Sequence, residues 1–133
     1  MPVTIVDSTV WIDYFRGESN PHVAWLDREL GRQPLGLTDL ILCEVLQGIR
    51  DDATFRRVRH HLSFFEIFET GGEKLAIVAA WHYRSLRTQG ITVRKTIDCL
   101  IAAFCLEYGH SLLHRDRDFD AFENHMGLQV VHP

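Results

Sequence analysis

The sequence of 133 residues lacks the features of membrane-bound and exported proteins. No apolar run approaches the roughly 20 residues that a membrane-spanning helix needs. The N-terminus MPVTIVD has neither the basic region nor the long apolar stretch of a signal peptide. We therefore expect a cytoplasmic protein that does not interact with a membrane. The length allows one domain with a proper core and is too short for two, so residues 1–133 are expected to form a single domain.

Cysteine is scarce, and its spacing argues against a zinc site. The three cysteines, Cys43, Cys99 and Cys105, are an odd number and form no C-x-x-C or paired Cys/His pattern. Each of them lies in an apolar segment with helical spacing. We predict that all three are small, reduced residues of the core.

An excess of positive charge is also absent, since the formal net charge is −4. This balance at first argues against a nucleic-acid ligand, whose binding is dominated by contacts to phosphate. Basic residues nevertheless cluster at 56–61, 94–95 and 115–117, and local patches decide binding more than the net charge does. The overall charge therefore excludes neither class of ligand.

Hydrophobic periodicity predicts an alternation of strands and helices. We predict strands over residues 3–7, 34–38, 64–69, 110–114 and 128–132, with helices over 8–17, 21–30, 39–49, 52–62, 73–89, 96–107 and 118–126 between them. Thr96 is the expected N-cap of its helix. Strands separated by helices favour an α/β fold, a three-layer α/β/α domain with a central, mainly parallel sheet of four or five strands.

Four carboxylates stand where apolar segments meet a loop or a helix start. Asp7 closes the run VTIV, Glu44 lies in LTDLILCEVLQG, Asp98 opens IDCLIAAFCLEYG, and Asp116 follows HSLLHR. In open parallel sheets, ligands bind at the carboxyl ends of the strands, so all four acids could face one crevice. Gathered carboxylates repel one another unless they bind a cation or share protons. The pattern therefore predicts a site for a hard metal ion.

Each acid taken alone also has an ordinary structural explanation. Asp7 suits a turn or a helix cap, and an acid in a first helical turn, such as Asp98, is favoured by the helix dipole. Glu44 is harder to explain in this way, because its helical neighbours are apolar and a buried carboxylate needs a partner. The metal-site hypothesis depends on all four acids meeting.

Four segments of the chain resemble the four motifs of the PIN-domain nucleases, and within them the VapC-type toxins of bacterial toxin–antitoxin pairs. The segments are IVDSTVWIDYFRG, LTDLILCEVLQGI, TIDCLIAAFCLEYG and LLHRDRDFDAF, in that order over nearly the whole length. The resemblance implies a divalent-metal ribonuclease with Asp7, Glu44, Asp98 and Asp116 as catalytic residues. It also implies a homodimer held inactive by a VapB-like antitoxin. One departure is His114, which stands where the family commonly has Thr or Ser and would bring an imidazole near the scissile phosphate.

The cofactor expected at such a site is Mg²⁺ or Mn²⁺. Both ions prefer oxygen ligands, and both can activate a water and offset charge on a phosphoryl oxygen. We expect Asp7, Asp98 and Asp116 to ligate the metal directly or through water. Glu44, with its longer reach, would hold a metal-bound water or a second ion, while Asp118 is a candidate supporting ligand.

Other polar residues near the four acids are candidates for supporting roles. Ser8 is expected to donate a hydrogen bond to a pocket carboxylate. Arg94 and Lys95 shortly precede Asp98, and Arg115 adjoins Asp116, so we expect these three cations to bind substrate phosphates at the rim of the crevice. The basic segment at 56–61 is either an RNA-binding track or a solvated helix face.

The function that these expectations favour is a divalent-metal-dependent endoribonuclease toxin, which hydrolyses RNA through a metal-activated water. The resemblance suggests a structured RNA such as tRNA as substrate. Two alternatives stay open at this point. One is a catalytically silent PIN-like binding module, and the other is a receiver-like signalling domain that takes up phosphate on an aspartate.

Overall fold

The computed structural model describes residues 2–133, and within that range it contains four strands, seven α-helices and one 3₁₀ turn. The strands are β1 (Thr4–Val6), β2 (Leu35–Thr38), β3 (Glu66–Phe68) and β4 (Ser111–Leu113). The helices are α1 (Ser8–Phe15), α2 (Pro21–Glu29), α3 (Asp39–Gln47), α4 (Asp52–Leu62), α5 (Gly72–Thr88), α6 (Thr96–Tyr108) and α7 (Asp120–Met126), and the 3₁₀ turn spans Arg117–Phe119.

The four strands form one parallel sheet in the order β3-β2-β1-β4. The chain first builds the sheet outward from β1 to β3, and then returns to place β4 on the free side of β1. The strand order therefore reverses between β1 and β4, which is the position where ligands bind in open α/β sheets. This topology confirms the predicted parallel sheet, with four strands rather than five.

Helices cover the sheet in two groups. In the first group, α1 packs against α2 and α3, and α3 also contacts α4. The second group consists of α5 and α6, which pack along each other. All residues of the two central strands β1 and β2 are buried, as expected for strands covered on both faces. The α/β/α architecture predicted from the sequence is confirmed. In the part of the chain that the structure describes, no helix is both long and apolar enough to cross a membrane.

Short polar side chains and glycines fix the element boundaries. The carboxylate of Asp7 accepts a hydrogen bond from the first turn of α1, and Thr38 caps α3 in the same manner. Gly109 ends α6 in the left-handed conformation with φ 74°. Gly36 in β2 lets β3 approach closely, since a Cβ there would lie 3.0 Å from the carbonyl oxygen of Glu66. These features fix where α1 and α3 begin, where α6 ends and how closely β3 lies to β2.

Three predictions are wrong. The segment 128–132 is not a strand: it makes one isolated bridge, between Val130 and Leu112, because only Leu112 of β4 shares backbone hydrogen bonds with it. The N-cap of α6 is Lys95 rather than Thr96, without a capping side chain. Cys43 is exposed, since it lies on the outer side of α3, whereas the other two cysteines are buried as predicted.

Candidate active site

The reversal of strand order brings the first and fourth predicted acids to the same edge of the sheet. Asp7 directly follows β1, and its backbone N–H donates to the carbonyl oxygen of Leu113 at 2.9 Å. Asp116 follows three residues after the end of β4. Asp7 is 2% exposed and Asp116 is half-buried. Two distant parts of the sequence therefore contribute carboxylates to one crevice.

Carboxylate oxygens of Asp98, Asp116 and Asp118 lie within 4.8 Å of one another. Asp98 projects from the first turn of α6, and the 3₁₀ turn after β4 places Asp118 beside Asp116, whose Oδ1 accepts from the Asp118 N–H at 2.9 Å. Within residues 2–133, the Oδ2 atoms of Asp98 and Asp118 are buried and have no hydrogen-bond partner. Buried carboxylate oxygens without donors are costly alone and suit a divalent cation. These three residues fit a metal ion.

The predicted metal ligands are thus brought together in part. Asp98 and Asp116 are in mutual reach, while the third oxygen within the same range belongs to Asp118 rather than Asp7. The Oδ2 atom of Asp7 instead accepts from the Thr9 hydroxyl at 2.8 Å and from the Thr9 N–H at 3.2 Å. The direct ligation of a metal by Asp7 stays a prediction.

Burial raises the pKa of Asp7 from 3.8 to about 6. The two hydrogen bonds from Thr9 act in the opposite direction, and the charge of Glu44 adds to the rise. The desolvation of the carboxylate outweighs the donors. Asp7 therefore exchanges its proton close to neutral pH unless a cation lies nearby.

The pKa of Asp98 is raised further, from 3.8 to about 7. Its main cause is burial, followed by the charges of Asp116 and Asp7 and, more weakly, Glu44, while Lys95 lowers it. Repulsion from the three other predicted acids acts on this single carboxyl group. The charges of Asp7, Glu44 and Asp116 therefore all act on Asp98, while a shared catalytic role of the four acids stays a prediction.

Glu44 lies half-buried on α3 and accepts a hydrogen bond from the Ser8 hydroxyl at 3.2 Å. Burial is the main cause of its raised pKa, which the Ser8 hydrogen bond and the charge of Lys95 reduce and the charge of Asp116 increases. The predicted donor role of Ser8 toward a pocket carboxylate is present. Ser8 therefore orients the second acid of the crevice.

Two of the three predicted rim cations lie against the acids. The Nζ atom of Lys95 is 3.5 Å from Oδ2 of Asp116, and Nη2 of Arg94 is 3.2 Å from Oδ1 of Asp118. The charge of Asp98 is the main cause that raises the pKa of Lys95, with further contributions from Asp116 and Glu44, whereas desolvation lowers it. Lys95 thus interacts with several of the site's carboxylates.

Arg115 lies elsewhere. Its guanidinium pairs with Asp13 on α1, and its backbone N–H donates to the Thr9 hydroxyl at 3.1 Å. Arg115 therefore ties the loop after β4 to α1, while its side chain points to a carboxylate outside the four acids. Contact between this side chain and a substrate stays a prediction.

His114 supports the loop of the fourth acid. Its Nδ1 accepts a hydrogen bond from the Asp116 N–H at 3.0 Å, and its ring packs on Phe119 at 4.9 Å between centroids. Burial lowers the pKa of this imidazole. The side chain is 7% exposed, so His114 holds the backbone of Asp116 in place rather than presenting an imidazole to solvent.

Thr9 is the functional residue that sequence reasoning missed. Its hydroxyl donates to Asp7 and accepts from Arg115 N, so it links the ends of β1 and β4. The available signal was the hydroxyl pair Ser8-Thr9 directly after an acid. Both hydroxyls are used, one for each of the first two acids.

Known proteins are similar to this chain in sequence and in fold. Residues 4–124 match the PIN domain family. Ribonuclease VapC11 of Mycobacterium tuberculosis is 30% identical over 129 residues, with 96% of each chain covered. VapBC2 from Rickettsia felis, solved bound to a DNA fragment from its promoter, is similar in fold with a TM-score of 0.77, 14% identity and 96% of each chain covered. FitAcB from Neisseria gonorrhoeae has a TM-score of 0.77 at 21% identity, covering 98% of this chain and 97% of that one.

Proposed function

Because this chain belongs to the PIN-domain family, we propose that it is a divalent-metal-dependent endoribonuclease toxin of a type II toxin–antitoxin system. The similarity to a VapC ribonuclease along almost the whole chain supports the RNA substrate. The receiver-like alternative is wrong, because the chain matches the PIN domain family over residues 4–124. The observation that carries the proposal is the cluster of Asp98, Asp116 and Asp118, whose carboxylate oxygens lie within 4.8 Å of one another.

The metal of this proposal is Mg²⁺ or Mn²⁺, held by Asp98, Asp116 and Asp118 with Asp7 beside them. When bound, such an ion supplies positive charge that lowers the pKa of a water and offsets charge on the phosphate. The two buried oxygens without hydrogen-bond donors, on Asp98 and Asp118, support this assignment within residues 2–133. Oxygen-only ligation favours a hard cation over zinc.

The remaining acids are suited to handling the attacking water. Glu44 is half-buried, is oriented by Ser8 and has a pKa raised by burial, so it is suited to hold the water and accept its proton. The water oxygen bonds to phosphorus, the bond from phosphorus to the 3′ oxygen breaks, and that oxygen takes up a proton. The products carry 5′-phosphate and 3′-hydroxyl ends, and no 2′-hydroxyl attack is needed.

Substrate binding in this proposal relies on cations around the crevice. Arg94 and Lys95 stand at the start of α6 beside the acids, where they can reach phosphates of a bound RNA. Arg115 would contribute a more distant contact, since Asp13 already pairs with it. We propose a structured RNA such as tRNA as the substrate class and the cytoplasm as the place of action.

The regulatory partner in this proposal is a VapB-like antitoxin. Similar solved structures are VapBC complexes, and an acidic crevice suits a basic segment of a partner. A separate apolar groove, a cavity of about 240 Å³ lined by Ile12, Phe15, Val45 and Ile49, is suited to an apolar helix. If reversing the charge of the antitoxin's basic segment left inhibition intact, steric blocking alone would explain the inhibition.

We further propose that residues 1–133 act as one domain and that the protein is a homodimer. Light scattering tests the dimer, because it measures the mass of the protein in solution.

The test of the nuclease proposal is cleavage of RNA by the wild type and by Asp7→Asn, with and without EDTA. Asparagine keeps the acceptor for Thr9 and removes the charge, so we expect cleavage to fall by about 100-fold or more. Asp27→Asn is the matched control, because Asp27 is exposed on α2 away from the crevice. EDTA should abolish cleavage by the wild type and by the control. Products ending in a 2′,3′-cyclic phosphate, or cleavage that persists in EDTA, would refute the proposed mechanism.

A further inference from the structure

The ammonium group of Lys95 lies at the mouth of the candidate active site, and 57% of its side chain is exposed. Its Nζ atom is 3.5 Å from Asp116, and the carboxylates that act most strongly on it belong to Asp98, Asp116 and Glu44. These are three of the four family acids, contributed by three different parts of the fold. A cation paired with only one surface acid would not interact with all of them.

The acids on either side of Lys95 differ in what they can bind. Asp98, Asp116 and Asp118 bring oxygens within 4.8 Å of one another, which suits one ion. Glu44 lies outside this group and accepts from Ser8. In two-metal nucleases, the second ion sits about 3.5–4 Å from the first between shared carboxylates. Lys95 places its ammonium group 3.5 Å from Asp116, a carboxylate that a second ion next to the first would share.

The other nearby cations have different partners. Arg94 pairs with Asp118 and its side chain is 75% exposed, and Arg115 pairs with Asp13 on α1. Lys95 also begins α6 without a capping side chain, so the positive end of the helix dipole reinforces its charge. Among these three cations, only Lys95 combines proximity to several catalytic acids with a position at a helix N-terminus, and both features favour a phosphate oxygen.

We propose that Lys95 is a catalytic residue that takes the place of a second metal ion: the enzyme uses one divalent ion, at Asp98, Asp116 and Asp118, and the Lys95 ammonium touches a non-bridging oxygen of the scissile phosphate. This inference rests on the proposed nuclease function. The lysine donates a hydrogen bond and stays protonated throughout the reaction. Its charge offsets the negative charge that grows on the phosphate as water attacks.

The ammonium group of Lys95 should promote cleavage but weaken the binding of the metal ion. Lys95 repels the divalent ion and competes with it for Asp116, so removing the ammonium should strengthen metal binding while it slows cleavage. A lysine that only stabilised the loop would leave metal binding unchanged or weaken it. The combination of tighter binding with slower catalysis is therefore specific to the proposed role.

The experiment measures Mn²⁺ binding and single-turnover RNA cleavage on the full chain. We expect the wild type to bind one Mn²⁺ by titration calorimetry at concentrations that support cleavage. Lys95→Met keeps the length of the side chain and removes its charge, so we expect it to bind Mn²⁺ about ten-fold more tightly and to cleave about 100-fold more slowly at saturating Mn²⁺. Lys95→Gln provides a second neutral variant, and Lys95→Arg should return metal affinity toward the wild-type value.

The matched control is Lys74→Met. Lys74 is the only other lysine of the chain, and it makes an exposed pair with Glu107 at 3.8 Å on the α5–α6 face. This variant should match the wild type in both metal binding and cleavage, because it lies outside the site.

Binding of two Mn²⁺ ions by the wild type in the cleaving range would overturn the inference. So would unchanged or weaker metal binding in both neutral Lys95 variants, or cleavage at the wild-type rate. If the wild type cleaved no RNA, the nuclease proposal would fail on its own, while the stoichiometry and affinity of Mn²⁺ would still decide whether Lys95 repels a single ion.

Discussion

Replacing Asp98 by asparagine removes a carboxyl group that the fold holds in an unfavourable charged state. Asp98 is 3% exposed, and its pKa rises from 3.8 to about 7, mainly through burial and then through repulsion from Asp116 and Asp7. Asparagine has nearly the same shape and no charge. We therefore expect Asp98→Asn to stabilise the metal-free protein while it removes a ligand that catalysis needs.

The sign and size of the effect follow from the pKa. Because the folded-state pKa of this acid lies above the unfolded value, the folded state binds the proton more tightly, and stability falls as pH rises from about 4 toward 7. One unit of difference between the folded and unfolded pKa corresponds to about 1.4 kcal/mol. A rise from 3.8 to about 7 therefore destabilises the folded protein by at most about 4 kcal/mol above pH 7. Part of this cost is shared with the neighbouring acids, and we expect a gain of about 2 kcal/mol at pH 8.

The assay is thermal unfolding in EDTA at pH 4.5 and pH 8. A gain of this size should raise the Tm by about 6 °C at pH 8 and change it little at pH 4.5. Asp27→Asn, which removes an exposed charge on α2, controls for the change in net charge. With Mn²⁺ present, the wild type should have the higher Tm, since the ion stabilises the wild type and not Asp98→Asn. A destabilised Asp98→Asn at pH 8, or a gain that does not depend on pH, would refute the reasoning.

Three further predictions follow from single contacts. Thr9→Val removes the hydroxyl donor to Asp7, so it should raise the pKa of Asp7 and shift the pH–rate profile of cleavage to higher pH. We also expect the cleavage rate to fall by about ten-fold. An unchanged profile would show that the N–H of Thr9 alone sets the pKa of Asp7. Gly36→Ala places a Cβ 3.0 Å from the β3 backbone and should cost about 1–3 kcal/mol in urea unfolding, whereas a neutral result would mean that β3 shifts freely. Cys43 is exposed and should be the cysteine that a thiol reagent labels in the native protein; labelling of all three at the same rate would contradict the packing of α6.

The sheet and the placement of Asp7 and Asp116 at one edge of it could be predicted from the sequence for a common reason. Buried parallel strands appear as short apolar runs, and their carboxyl ends share one edge, so an acid after each run is placed by topology alone. Asp7 and Asp116 follow β1 and β4 in this way. Side-chain direction is not needed for that inference.

The relation of Asp118 to the other acids depends on local geometry that the sequence pattern does not show. An extended chain would place Asp116 and Asp118 on the same side but roughly 7 Å apart, at about 3.3 Å of rise per residue. The 3₁₀ turn that begins at Arg117 instead folds the chain back, and the Asp118 N–H donates to Asp116. The partner of Arg115 was equally hidden, because Asp13 lies 102 positions away on another element.

Catalysis, metal binding and inhibition depend on the same unbalanced charge. The burial that raises the pKa values of Asp7 and Asp98 is a cost to the folded protein, and any cation that binds only the folded state offsets it. A divalent ion and a basic segment of an antitoxin would satisfy the same carboxylates. We therefore expect the two to compete: Mn²⁺ should weaken the binding of the antitoxin's basic segment, and Asp98→Asn should weaken the binding of both. Additive stabilisation of the protein by the ion and that segment would show that they occupy different sites.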